Sequence, residues 1–99
     1  MNKTPIITMS PASSVTIQPF KMYNFGTLSL SMSITLGTDG VLDNYCTEYA
    51  FRFTAGANAS ISLPQTVKFS NGEQPTLQIG RTYEYNIVDN MCAIGEFYS

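Results

Sequence analysis

The sequence lacks histidine and tryptophan, and it holds only two cysteines, Cys46 and Cys92, in 99 residues. Without histidine, neither a Ser-His-Asp triad nor a Cys-His pair can form, which excludes the common nucleophilic hydrolases. The usual set of four nitrogen and sulfur ligands for zinc is also missing, because the sequence has no histidine and only two cysteines. Because no secretion signal is visible, we expect the two thiols to be reduced rather than joined in a disulfide.

Charge is scarce as well. Charged residues make up 12% of the chain, about half of the roughly 25% that is typical. The five basic residues lie far apart, so we expect no nucleic-acid partner and no membrane-surface binding: Lys3, Lys21, Arg52, Lys68 and Arg81. No apolar run is long enough to span a bilayer. A weakly charged surface gives little electrostatic protection against association, which suits a protein that packs against neighbours.

Apolar residues recur with a period of two, and no window shows a helical period. Residues 27–36 alternate without a break, which predicts one long strand with an apolar face and a face of Ser and Thr hydroxyls. Such hydroxyls are usually solvated, although a second protein or a sugar could also rest on them. In residues 45–54 aromatic residues alternate with more polar ones, which predicts a second strand whose aromatic side chains belong to the core.

The strongest local signal is a hairpin in which residues 83–88 and 91–97 are joined by Asp89-Asn90. Pairing outward from the turn predicts four pairs of partners: Val88 with Met91, Ile87 with Cys92, Tyr85 with Ile94, and Tyr83 with Glu96. The face that carries Tyr83, Tyr85, Ile87, Cys92 and Ile94 is expected to be core. Glu84 and Glu96 then point to opposite faces, so they cannot flank one substrate bond as a glycosidase requires.

The chain length fits one domain. We predict an all-β fold, an antiparallel β-sandwich or jelly roll of about seven to eight short strands. Residues 1–19 are expected to form an extended N-terminal arm and edge segment, because prolines are confined to edges and turns. Residues 20–99 are expected to form the single β-sandwich domain. The arm is either a frayed terminus or a segment that docks on a neighbouring subunit, and both alternatives remain open.

Two further constellations are weak. Asp39 and Asp43 lie beside a Gly-centred turn, but they lack the dense oxygen ligands of a calcium loop. Glu48 and Glu73 are carboxylates that a hydrolase could use, although nothing in the sequence brings them together. We therefore expect a non-enzymatic protein with no catalytic residue, no metal ligand and no cofactor.

The second half of the chain carries a succession of short motifs. They are Phe-x-Phe-x-Ala-Gly at residues 51–56, Leu-Pro-x-x-Val-x-Phe-x-Asn-Gly-x-x-Pro at 63–75, Gly-x-x-Tyr-Glu-x-x-Ile-x-Asp-Asn at 80–90, and Gly-Glu-Phe at 95–97. This succession resembles a small β-module in the virion proteins of tailed bacteriophages. Phe69 stands where such modules often have tryptophan. The shared pattern is mostly turn and scaffold, and it supplies no catalytic residue.

The resemblance implies a non-enzymatic virion structural protein, either a capsid decoration protein or a head-fibre component attached to the shell. Its partners would be other virion proteins, above all the major capsid protein, and further copies of the chain, with a trimer favoured. It would be made in the host cytoplasm and reside on the virion surface. The candidate shell contacts are residues of the N-terminal arm: Pro5, Ile6, Ile7, Met9, Val15 and Ile17.

An alternative function within the same resemblance is a tail or baseplate module that recognises host-surface glycan. Its candidate ligand-binding surface combines three tyrosines with a loop carboxylate: Tyr23, Asp39, Tyr45 and Tyr49. Aromatic rings and carboxylates at the surface are suited to sugar rings and hydroxyls.

Overall fold

The computed structural model describes residues 5–70 and 72–98, so residues 1–4 of the predicted arm and Asn71 of the motif at 63–75 lie outside it. About 51% of the described residues lie in strands and none in a helix, so the fold is mostly β. Nine strands occur in these two stretches: β1 (Ile6–Thr8), β2 (Ser14–Ile17), β3 (Met22–Leu28), β4 (Ser31–Leu36), β5 (Glu48–Ala55), β6 (Ser60–Ser62), β7 (Lys68–Phe69), β8 (Thr82–Val88) and β9 (Met91–Phe97).

The strands form two sheets of mixed direction. The large sheet has the order β1-β3-β5-β8-β9-β7, and the small sheet has the order β2-β4-β6. Only the pairs β5–β8 and β8–β9 are antiparallel, and the other pairs are parallel. The prediction of an antiparallel fold is therefore wrong for most of the strand pairs, and a sandwich or jelly roll is not confirmed.

The path of the chain explains the parallel pairs. From β1 to β6 the chain alternates between the sheets, so each strand of the large sheet is followed by a strand of the small one. A chain that leaves a sheet, runs back along the other sheet and returns enters the first sheet in its original direction. Strands that are neighbours in a sheet are therefore not joined by a local turn, and turn residues alone could not reveal their direction.

The predicted strand at residues 27–36 is divided by a corner. β3 ends at Leu28 in the large sheet, and β4 begins at Ser31 in the small sheet. Leu28, Met32 and Ile34 are nevertheless all buried. The alternation continues through the corner because Leu28 at the end of β3 and Met32 and Ile34 in β4 point to the same core. The unbroken pattern therefore gave no sign of the change of sheet.

The predicted hairpin is confirmed in register and face. β8 and β9 pair as expected, from Val88 with Met91 to Tyr83 with Glu96. Asp89 and Asn90 have positive φ angles of 50° and 66°, as a tight hairpin turn of type I′ requires. The expected core face is buried, apart from Ile94, which is half-buried.

The N-terminal segment is part of both sheets rather than an extended arm. β1 pairs with β3, and β2 pairs with β4, each at the edge of its sheet. The edge strand predicted near residues 14–18 is thus present as β2. Ile17 is fully buried in the core, so the segment from Pro5 onward folds with the body of the protein.

Aromatic rings on two antiparallel strands form the centre of the core. Phe51 of β5 stacks on Tyr85 of β8 with ring centroids 4.7 Å apart, and Phe53 lies 5.8 Å from Tyr83. The aromatic row predicted at residues 45–54 is therefore core from Tyr49 onward, although the strand begins only at Glu48. The small sheet contributes buried side chains to the same cluster: Ile17, Met32, Ile34 and Ile61.

Phe51→Ala should lower the free energy of unfolding by about 3–5 kcal/mol, because it removes a fully buried ring and leaves a cavity beside Tyr85. The matched control is Val88→Ala on the outer face of β8, which should cost less than about 1 kcal/mol. Denaturant unfolding followed by circular dichroism measures both values. Equal losses in the two variants would contradict the central position of Phe51.

Candidate functional site

Two residues of the predicted ligand surface, Tyr23 and Tyr49, lie in the core, where they are 4% and 8% exposed. The Tyr23 hydroxyl accepts a hydrogen bond from the Gln18 backbone N–H at 2.9 Å. The Tyr49 hydroxyl donates one to the Gly37 carbonyl at 2.6 Å. Gln18 directly follows β2 and Gly37 directly follows β4. The two hydroxyls therefore fix the backbone at the points where the chain leaves the small sheet. This corrects the assignment of these two tyrosines to a binding surface.

The other two members of that set, Asp39 and Tyr45, are exposed in the loop of residues 37–47 between β4 and β5. The Asp39 backbone N–H donates to Gln18 Oε1 at 3.1 Å, which ties the start of the loop to the end of β2. Tyr45 is 71% exposed, and Val41 and Leu42 of the same loop are exposed as well. This loop is the accessible part of the predicted ligand surface.

The predicted shell contacts are distributed over three environments. Pro5 is exposed, and Ile6 points to the outer face of the large sheet. Ile17 is fully buried, which corrects its assignment to a contact surface. The remaining three are half-buried and pack against the core from the edge of the molecule: Ile7, Met9 and Val15.

A groove of about 800 Å³ runs over the outer face of the large sheet. Its floor is a row of residues paired across four strands: Ile6, Met22, Ala50 and Asn86. Phe20 and Val88 line it as well. Charged and polar side chains line it too, including Lys21, Glu48, Arg52 and Asn86, so the groove offers a partly hydrophobic surface outside the core.

Sequence reasoning missed the groove, although the hairpin held a signal for it. The outer face of that hairpin carries Val88, Met91, Ala93 and Phe97, so both faces of the hairpin are largely apolar. A strand with only one buried face normally alternates between apolar and polar residues. The row of residues that forms the floor of the groove depends on the parallel pairing of β1, β3 and β5, and local sequence patterns do not show such pairing.

The groove carries charges of both signs. Arg52 Nη2 lies 2.6 Å from Glu84 Oε1, and Asn86 Nδ2 donates to Glu84 Oε2 at 3.0 Å. These bonds, first that from Asn86 and then that from Arg52, hold the pKa of Glu84 below its usual range. Lys21 and Glu48 also line the groove, and neither forms an ion pair within the described part of the chain. The groove therefore has little net charge.

A second, more polar pocket of about 410 Å³ lies beside Phe69, Gln74 and Ile94. At its border, Glu96 Oε2 lies 2.9 Å from Arg81 Nη1 and accepts the Tyr83 hydroxyl at 2.8 Å. The hydrogen bonds from Arg81 and, next, from Tyr83 hold the pKa of Glu96 below its usual range. The Arg81 guanidinium also lies over the Tyr98 ring, 4.1 Å from its centroid.

The carboxylates do not converge on a catalytic pair. Glu84 and Glu96 lie on opposite faces of the hairpin, as the register predicted. Glu48 lines the outer groove whereas Glu73 lines the second pocket. Within residues 5–70 and 72–98, no group of three or more Cys, Asp or Glu side chains is placed to hold a metal ion.

Both cysteines are free thiols in different surroundings. Cys46 is exposed and Cys92 is buried. The negative charge of Asp89 is the main factor that raises the pKa of Cys46, and burial raises the pKa of Cys92 to about 11. Activated thiols have a lowered pKa, so neither cysteine has the surroundings of a catalytic nucleophile.

No family model, curated protein or solved structure matches the chain. In the part of the chain that the structure describes, no helix is long and apolar enough to cross a membrane.

Acid should destabilise the protein partly through Glu96. Its lowered pKa means that the folded state gains stability from the ionised carboxylate at neutral pH. That gain is present above about pH 4.3, the usual glutamate pKa, and is lost as the pH falls through the lower folded-state value. In Glu96→Gln the loss of stability in acid should therefore be smaller than in the wild type.

The free energy of unfolding, measured by denaturant titration across this pH range, tests the expectation. Glu48→Gln is the matched control, because Glu48 has no ion pair among the described residues, and it should keep the wild-type acid profile. If Glu96→Gln also kept that profile, the contacts of Glu96 with Arg81 and Tyr83 would not be formed in solution.

Proposed function

We propose that the protein is a non-enzymatic structural component of a tailed-bacteriophage virion, a capsid decoration or head-fibre protein attached to the shell. The observation that carries this proposal is the groove on the outer face of the large sheet, with the apolar groups that it exposes. Groups such as Ile6, Met22 and Val88 lie there on the large sheet and face outward. A weakly charged protein with an apolar outer face gains stability when it packs against neighbours.

The residues that carry the phage-module resemblance fall at positions that determine the scaffold. Gly72 and Gly80 have φ angles of 86° and 90°, a conformation that favours glycine. Tyr83 is fully buried, and Asp89-Asn90 makes the hairpin turn. The motifs therefore occupy turns and core positions, and we propose that the two sheets face each other as a small β-sandwich around the shared core.

The partners in this proposal are virion proteins. The major capsid protein is the principal one, and the groove is the surface offered to it. The chain forms a homo-oligomer on the virion surface after synthesis in the host cytoplasm. Neither nucleic acid nor a membrane is a partner, because the basic side chains are few and dispersed.

Met22→Lys together with Val88→Lys should reduce incorporation of the protein into purified phage particles by about tenfold or more, since each charge would be desolvated in a packed interface. Quantitative mass spectrometry of particles from the phage that encodes the chain measures the copy number. Ser33→Lys with Thr35→Lys, on the outer face of the small sheet, is the matched control. Absence of the wild-type protein from particles would reject the virion role, and equal incorporation of both variants would reject the groove.

A second candidate function is glycan recognition by a tail or baseplate module, and the exposed loop of residues 37–47 favours it. Tyr45 projects from this loop beside the exposed Val41 and Leu42, so a ring is available for stacking on a sugar. Binding to a glycan array that disappears in Tyr45→Ala and survives in Tyr98→Ala would support this function. A wild-type protein that binds no glycan would count against it.

A further inference from the structure

The first two strands leave backbone groups free at one end of both sheets. In β1, the carbonyl of Pro5 accepts from Met22 and the N–H of Met9 donates to Asn24, so odd-numbered residues bond to β3. The N–H and C=O groups of Ile6 and Thr8 therefore point away from the large sheet.

The same odd–even alternation of the backbone groups holds in β2. The carbonyls of Ser13 and Ile17 accept from the N–H groups of Ser33 and Gly37 in and after β4. Ser14 and Thr16 therefore point their N–H and C=O groups away from the small sheet. The chain visits the two sheets in turn, and each new strand is added on the same side, as β1, β3, β5 in the large sheet and β2, β4, β6 in the small sheet. The edge strands β1 and β2 therefore lie at one end of the molecule. We call the backbone groups of Ile6, Thr8, Ser14 and Thr16 the open edge.

On the opposite edge strands, β6 and β7, one outward carbonyl each is capped from within the chain. In β6, the outward carbonyl of Ile61 accepts a hydrogen bond from Gln74 Nε2 at 3.0 Å. In β7, the outward carbonyl of Phe69 accepts the Gly72 N–H at 2.9 Å. No comparable bond reaches the open edge from residues 5–70 or 72–98. The two ends of the molecule therefore differ in backbone chemistry.

The open edge lacks several of the features that prevent pairing with another chain, although β1 and β2 are short and Pro5 precedes β1. Natural edge strands are often protected by lysine side chains, by a bulge or by a covering loop. Residues 5–20 contain no charged side chain, and neither β1 nor β2 shows a break in register. Beside the edge, the inward side chains Ile7 and Val15 are only half-buried, so a partner that continued the sheets would cover them.

We propose that the open edge pairs with the open edge of a second copy of this chain around a two-fold axis. In the large sheet, β1 meets its own copy antiparallel, with Ile6 opposite Thr8 of the second copy and Ile7 opposite the second Ile7. In the small sheet, β2 pairs in the same way around Val15. Self-pairing meets no charge repulsion, because the segment has no charge.

The available area fits this occupant. The molecule measures 39 × 28 × 25 Å, so each of its faces has room in projection for an interface on the order of the ~800 Å² that each partner contributes to a standard one, of which β1 and β2 would form part. The inference does not depend on the virion role, and it specifies a dimer where the phage resemblance favoured a trimer. The groove on the outer face of the large sheet remains free in such a pair.

Light scattering coupled to size exclusion should give the wild-type chain about twice its single-chain mass of 10.9 kDa. Thr8→Pro with Thr16→Pro removes two outward N–H donors without touching the bonds to β3 or β4, and proline is tolerated at such edge positions. This variant should be a folded monomer by circular dichroism. The matched control, Thr8→Val with Thr16→Val, keeps the donors and should remain a dimer. A monomeric wild type, or a proline variant that stays dimeric, would overturn the proposal.

A cross-link tests the register even if the proline variant fails to fold. In an antiparallel pair, facing residues of the type proposed for Ile7 have Cα atoms about 4.5 Å apart, which is within the range of a disulfide. Ile7→Cys in a Cys46→Ser background should form a covalent dimer under mild oxidation. The matched control is Ile79→Cys, an exposed site outside the open edge, which should form no covalent dimer under the same treatment. A dimer that Ile7→Cys fails to cross-link would exclude pairing through β1.

Discussion

The antiparallel pairing of β5 with β8 is the interaction on which the rest of the structure depends. It joins the parallel strands of the first half of the chain to the closing hairpin, and among residues 5–70 and 72–98 no other strand pair connects them within the large sheet. On the inner face, Phe51 and Phe53 stack on Tyr85 and Tyr83. On the outer face, the Arg52–Glu84 ion pair spans the same two strands. The same pair therefore organises the core and one border of the groove.

The sequence predicted the parts of the fold that rest on local chemistry. The hairpin followed from the Asp89-Asn90 turn and from alternation on each side of it, and its register was right residue by residue. The corner after Leu28 and the parallel pairs were not predictable in this way. The corner and the parallel pairs depend on which sheet each strand joins. Because the two sheets bury one face against the same core, the period of two is the same in either sheet and does not distinguish them.

The candidate surfaces were less predictable than the fold. Tyr23 and Tyr49 have polar hydroxyls and therefore suggested a binding face, but backbone groups at Gln18 and Gly37 satisfy those hydroxyls inside the protein. No sequence pattern distinguishes a tyrosine that bonds the backbone from one that bonds a ligand. The groove arises from residues far apart in the chain, such as Ile6 and Asn86, and these are brought into one row only by the sheet order.

Gln74 and Gly72 each occupy one outward carbonyl on the edges opposite the open edge, those of Ile61 and Phe69. A subunit with two uncapped ends would add further subunits without limit and form fibres, whereas a subunit with one such end stops at a closed pair. Each of the two hydrogen bonds removes one acceptor that an incoming strand would use at those edges, which favours a closed pair over a fibre. Gln74 also has a role in the core, because its Oε1 accepts the hydroxyl of the fully buried Tyr85 at 2.8 Å.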